Sequence, residues 1–152
     1  MMPTRNDRWP DLAGRIEDGR HILPVRVYFE DTDFSGLVYH ASHLRWCERG
    51  RSDFLRLLGV RHADLIAPGG DAEPAAFVVR RLEIDYLRPA RIDEVLEVST
   101  QCAEIGGAHV TLAQEIRRDA TLLCKLYVRV VLVSRSGKPL RLPLGARAAL
   151  TV

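Results

Sequence analysis

Cysteine is scarce in this sequence: Cys47, Cys102 and Cys124 are the whole set. An odd number with no CxxC spacing excludes a disulfide scaffold and a compact cysteine zinc site. It points to a reducing compartment, so a cytoplasmic protein is expected. Each thiol falls on an apolar face, which favours buried core positions over nucleophiles. Excess charge is missing too. Charged residues form 28% of the chain, yet the formal net charge is only +2, too balanced for a dedicated nucleic-acid binder or a polybasic membrane protein. No nucleic-acid partner is expected. The N-terminal stretch MMPTRNDRWPDLAGRIEDGRH has no continuous apolar run of the kind a signal peptide needs, and no later run approaches the length of a transmembrane segment. Internal repeats and low-complexity tracts are absent as well. What is present is 152 residues with 47% hydrophobic side chains, enough apolar surface for one domain with a substantial core.

Hydrophobic periodicity divides the chain. Residues 1–20 read as a polar arm with at most one helical turn, residues 21–135 as a single domain, and residues 136–152 as a tail whose prolines and glycine predict extended or irregular structure. HILPVRVYFE predicts a strand centred on Val25 to Phe29. SHLRWCERGRSDFLRLLG sets Leu44, Cys47, Phe54 and Leu58 among charged residues, the pattern of an amphipathic helix ending near Gly59. Gly50 inside it costs about 1 kcal/mol relative to Ala and marks a close contact. Four strands follow, AAFVVRRLEIDYLRP, EVLEVSTQCAEI, AHVTLAQEIRR and TLLCKLYVRVVLVS, with tight turns expected at Gly106-Gly107 and Asp119-Ala120 and a stop at Ser136-Gly137. Strands joined by short turns are antiparallel neighbours. The expected class is α+β, an antiparallel sheet wrapped around one long helix. One helix leaves the edges of such a sheet exposed, and association of two copies edge to edge is the expected remedy.

The chemistry is concentrated in EDTDFSGLVYH, Glu30 to His40. Asp31, Asp33, Ser35, Gly36 and Val38 occupy places of an EF-hand loop, but its closing carboxylate is replaced by Ser42, and a strand stands where a helix is needed. His40 and His43 lie close to Asp31 and Asp33, yet no HExxH or Cys/His pattern accompanies them. No metal is therefore expected. A carboxylate on a loop just before a helix can sit beside the helix's free N–H groups, which can stabilise an oxyanion. That pairing suits acyl transfer. The other reading is that Asp31, Thr32 and Asp33 only cap turns. The residue pattern leaves both open.

The stretch YFEDTDFSGLVYHASHLRWCERGRSDFLRLLG resembles the signature of the 4-hydroxybenzoyl-CoA thioesterase family of hotdog-fold proteins, and most of all its Tol-Pal-associated acyl-CoA thioesterase branch. FVVRRLEIDYLRPARIDEVLEV is similar to the family's second strand and Tyr-x-x-Pro-Ala turn, extending the likeness from about Val25 to Val133. The resemblance implies that Asp33 is the catalytic carboxylate and that the His40 backbone N–H polarises the thioester carbonyl, with its imidazole orienting substrate or water. Gly36, Val38 and Tyr39 would line the same turn. Arg88 and Arg91 flank Pro89-Ala90, where they meet the phosphates of coenzyme A or are simply solvated. Ser42, His43 and Cys47 depart from the branch's usual Asn, Tyr and aromatic residue; Ser42 can still cap the helix, while His43 alters the acyl pocket. Glu48, where another hotdog branch carries its acid, reads as a helix-surface partner for an arginine. His109, on a strand after the Gly-Gly turn, is expected to be exposed, and His21 and His62 show no obvious partners.

The expectation is thus an acyl-CoA thioesterase, a homodimer or homotetramer without metal or bound cofactor, with coenzyme A entering only as part of the substrate. Its rivals are a hotdog dehydratase of hydroxyacyl thioesters and a non-catalytic acyl-CoA binder or envelope interaction module.

Overall fold

The longest helix owes its limits to backbone hydrogen bonding more than to side-chain caps. In the computed structural model, which describes Trp9 and residues 12–151, helix α1 runs His40–Leu57. It starts two residues before the predicted Ser42. Tyr39 is the N-cap and makes no side-chain capping bond, and the Ser42 hydroxyl, expected to cap, instead donates to the Asp31 carbonyl at 3.1 Å. At the other end Gly59 takes a left-handed φ of +89°. The Gly59 N–H bonds to Arg56 O at 3.0 Å and the Val60 N–H to Leu55 O at 2.8 Å, the paired bonds of a Schellman stop.

Around α1 wraps a sheet of six strands: β1 Arg15–Glu17, β2 Arg20–Arg26, β3 Ala75–Tyr86, β4 Val95–Ile105, β5 His109–Arg118 and β6 Thr121–Ser134. Every pairing is antiparallel, in the order β1-β2-β4-β5-β6-β3. Strand β5 shows why one face is core: Val110, Leu112, Gln114 and Ile116 alternate inward. They meet the α1 face that buries Trp46, Cys47, Gly50, Phe54 and Leu55. Gln114 is the polar member of this face, and its hydrogen bonds are met. Its amide donates to Cys47 O at 2.9 Å and to Thr100 Oγ1 at 2.8 Å, and its carbonyl accepts from Arg51 at 3.0 Å. A Cβ on Gly50 would stand 3.1 Å from both Thr100 Oγ1 and Val98 Cγ1, so the predicted close contact is helix against sheet.

Four local expectations change. The sheet begins at Arg15, because Asp18 and Gly19 both adopt positive φ and close a two-residue hairpin between Glu17 and Arg20. Strand β2 ends at Arg26; Phe29–Asp31 forms a 3-10 turn closed by the Tyr28 N–H on Asp31 Oδ2 at 2.8 Å. Gly106 and Gly107 form the β4–β5 turn without positive φ. A Cβ on Gly106 would meet the His109 ring, which would have to turn away. In the tail, Leu144–Leu150 is helix α3, seated by buried Ala146 and Leu150, and Arg147 donates to Gly106 O at 2.8 Å. His21, without an evident partner in sequence, is fully buried with Nε2 2.7 Å from Asp53 Oδ2.

Candidate active site

The loop between β2 and α1 folds back on itself. The Asp33 N–H bonds to Leu37 O at 3.0 Å, the Gly36 N–H to Asp33 O at 3.1 Å, and Thr32 pairs with Val38. Gly36 takes φ +82° and a Cβ there would touch nothing, so glycine serves the backbone angle and not a close approach. Two further bonds fasten the loop to the helix start: the Tyr39 N–H reaches Asp31 O at 2.8 Å, as does the Ser42 hydroxyl at 3.1 Å. The Val38 N–H bonds to Ala90 O at 2.9 Å and Leu37 bridges Arg91, which ties the loop to the Pro89-Ala90 segment.

Asp33 is exposed, and its hydrogen bonds with Ser35 both fall on one oxygen. Oδ1 accepts from the Ser35 hydroxyl and from the Ser35 N–H, the latter at 2.8 Å. Oδ2 has no partner among the described residues. The Ser35 hydroxyl, followed by its N–H, holds the carboxyl below the ordinary carboxylate value, so it is ionised at neutral pH. Asp31, by contrast, spends Oδ2 on the Tyr28 N–H.

His40 opens α1 and is exposed. Among the described residues its N–H has no acceptor, as expected for the first turn of a helix, where the dipole is positive. Its carbonyl is occupied: the Tyr86 hydroxyl donates to it at 2.8 Å and His43 Nδ1 lies 3.3 Å away. His43 is buried, with its ring against Trp46 and Tyr86 at centroid distances of 5.4 and 5.3 Å. Burial lowers its pKa, which keeps the imidazole neutral.

The structure therefore gathers Asp33, Gly36, Val38, Tyr39, His40 and the Arg91 backbone around one loop. Val38 is in the core and Tyr39 half exposed. Arg88 lines a separate shallow depression with Leu87, Arg118, Thr121 and Leu122. Glu48 is exposed and forms no close ion pair among the described residues, but it interacts electrostatically with Arg51 one turn along α1. Cys47 and Cys124 are buried, and burial pushes both thiols up to about 12. Sequence reasoning missed Ser35 as the partner of Asp33, and Tyr86 as the residue joining β3 to the helix start.

A wrapped antiparallel sheet over one long helix, with an ionised carboxylate on the loop that leads into that helix, is the arrangement of a hotdog-fold thioesterase. The chain belongs to the thioesterase superfamily, whose family model matches residues 35–125. It is 38% identical to the acyl-CoA thioesterase YbgC of Haemophilus influenzae over 133 residues, 87% of this chain and 95% of that protein. It is 41% identical to the acyl-CoA thioester hydrolase YbgC of Escherichia coli O6:H1 over 122 residues, 79% of this chain and 87% of the other. Among solved structures, a probable thioesterase from Bartonella henselae superposes with TM-score 0.78 at 44% identity, covering 82% of this chain and 99% of that one. The fold alone is shared with the 1,4-dihydroxy-2-naphthoyl-CoA thioesterase Slr0204 of Synechocystis, at TM-score 0.79 and 23% identity.

Proposed function

We propose that the protein hydrolyses an acyl-CoA thioester to a free carboxylic acid and coenzyme A, in the cytoplasm and without a metal or bound cofactor. The observation that carries this reading is the ionised Asp33, with Oδ2 free, on a loop bonded to a helix start whose N–H is also free. The names of the relatives that are 38–41% identical point to the same substrate class.

In one route Asp33 Oδ2 attacks the thioester carbon, the C–S bond breaks with the thiolate leaving, and water cleaves the mixed anhydride to release the acid. In the other, Asp33 takes a proton from water as that water attacks. In both, the carbonyl oxygen gains negative charge, and the His40 N–H at the positive end of α1 would receive it. A second copy along β3 would roof a site that is open in one protomer. Association with the Tol-Pal envelope system belongs to this reading through the motif resemblance alone.

Asp33→Asn keeps the shape and removes the charge. Thiol release from a panel of acyl-CoAs should fall by at least about a hundredfold; full activity in the purified variant would remove Asp33 from the reaction. Single turnover in ¹⁸O-water tests the first route: label in the Asp33 carboxyl, delivered when water attacks the Asp33 carbon of the mixed anhydride, is left only by nucleophilic attack.

A further inference from the structure

A second cavity among the described residues lies outside the loop just described. It is an open groove of about 790 Å³ between β2, the outer face of α1 and helix α2, His62–Ile66. Its volume falls within the range of about 300–1,000 Å³ typical of small-molecule sites. Asp31 stands at one end, two residues from Asp33, and Arg56 and Arg61 line it as well. Counting along α1 from the His40 N–H, Arg49 and Arg56 lie about 14 and 24 Å down the helix axis.

Arg26, Arg49, Arg56 and Arg61 all line this groove, against Glu30, Asp31 and Asp53. The partners decide which charges are free. Asp53 is committed, accepting from His21, the Gly14 N–H and Arg56. Asp31 is committed to the Tyr28 N–H, and Arg26 donates to Asp93 O at 2.9 Å. Arg49 has no acidic partner among the described residues, and Arg61 only a loose pair with Asp64 at 3.9 Å. Two guanidinium groups, with Glu30 as the carboxylate not so committed, are thus left lining a groove that reaches the site loop at Glu30 and Asp31. The apolar Leu23, Pro24 and Val25 form its β2 wall. Guanidinium forks match the paired oxygens of a phosphate.

We infer that this groove seats the phosphate-bearing half of the coenzyme A thioester, with Arg49 and Arg61 as the phosphate ligands and the β2 wall lying along the pantetheine arm. This rests on the acyl-CoA reading above. It places the nucleotide along α1, away from Arg88 and Arg91.

Two measurements on the full chain test it. Adenosine 3′,5′-bisphosphate, titrated calorimetrically, should bind the wild type and lose affinity by about tenfold or more in R49Q/R61Q. In thiol-release assays the same variant should raise KM for acyl-CoA by about tenfold with kcat unchanged, and the difference from wild type should vanish when acyl-pantetheine replaces acyl-CoA. Equal nucleotide affinity in wild type and R49Q/R61Q overturns the proposal, as does a KM increase produced by R88Q/R91Q and not by R49Q/R61Q. If neither thioester is hydrolysed, the acyl-CoA reading fails, and the calorimetric comparison still decides the groove.

Discussion

Because both hydrogen bonds on Asp33 Oδ1 come from Ser35, the charge state of the proposed catalyst depends on a neighbour that takes no part in the reaction. The ionised form is favoured, so its pKa lies below the ordinary value, and activity is lost only as pH falls through that lowered value. Ser35→Ala removes the largest cause. The acid limb of kcat/KM should move to higher pH; a limb that stays put would assign it to another group. His43 carries the opposite chemistry with the same sign. Its folded pKa is depressed by burial, so the unfolded chain binds the proton first. The stability that neutral His43 confers is complete above about pH 6.5 and drains away as pH falls through the folded value. His43→Phe keeps an aromatic ring against Trp46 and Tyr86 and cannot titrate. Its Tm should drop less than that of the wild type between about pH 7.5 and pH 5.5, and parallel curves would contradict the assignment. Asp33 and His40 were legible because they lie in one unbroken stretch of sequence. Tyr86 was not: it reaches the His40 carbonyl only through the register of β3 on β6, which no local pattern encodes.

Helix α1 is specified by glycines at two scales of geometry, and each gives a separate expectation. Gly50 is a matter of space. A larger side chain must displace β4, where Val98 and Thr100 already stand at 3.1 Å from the position of a Cβ, so Gly50→Val should cost about 1–3 kcal/mol in urea unfolding. Gly59 is a matter of backbone, with open space around it and φ at +89°. Gly59→Ala should cost about 1–2 kcal/mol with no change in core packing. If Gly50→Val were the milder of the two, the helix would not approach the sheet as closely as described. Periodicity found α1 and the four long strands, since each buries one continuous face. It missed β1, although Asp18-Gly19 is a strong hairpin dipeptide, because three residues of strand carry too little alternation to register. It missed α3 because Pro143 was weighed as a breaker, whereas proline just ahead of a helix removes no helical hydrogen bond.

At the scale of the molecule, the consequential difference from a simple run of hairpins is that β3 pairs with β6 and not with the following β4. That leaves the twelve-residue β3 as an open edge, while the opposite edge is the three-residue β1, too short to invite pairing. Along β3, Val78 and Val79 are 44% and 51% exposed, and Tyr86 and the Leu87 that follows the strand are 44% and 53% exposed, an apolar border unusual on a solvated edge. The charges between them are self-complementary. A two-fold axis through Leu82 would pair the strand antiparallel with its own copy, setting Arg81 opposite the partner's Glu83 and Val78 opposite the partner's Tyr86. Since Tyr86 bonds the His40 carbonyl, that arrangement would bring the border of one protomer to the site of the other. Glu83→Arg turns both symmetry-related pairs from attraction into repulsion, each worth roughly 0.2–1 kcal/mol in either direction. In sedimentation equilibrium the variant should dissociate at about tenfold higher concentration than the wild type, and acyl-CoA hydrolysis should fall in step with the dimer fraction. Arg81→Glu/Glu83→Arg restores opposite charges across the axis and should recover both mass and activity. A variant E83R with unaltered mass across the concentration range, or a charge swap that rescues neither property, would show that the copies do not meet along β3.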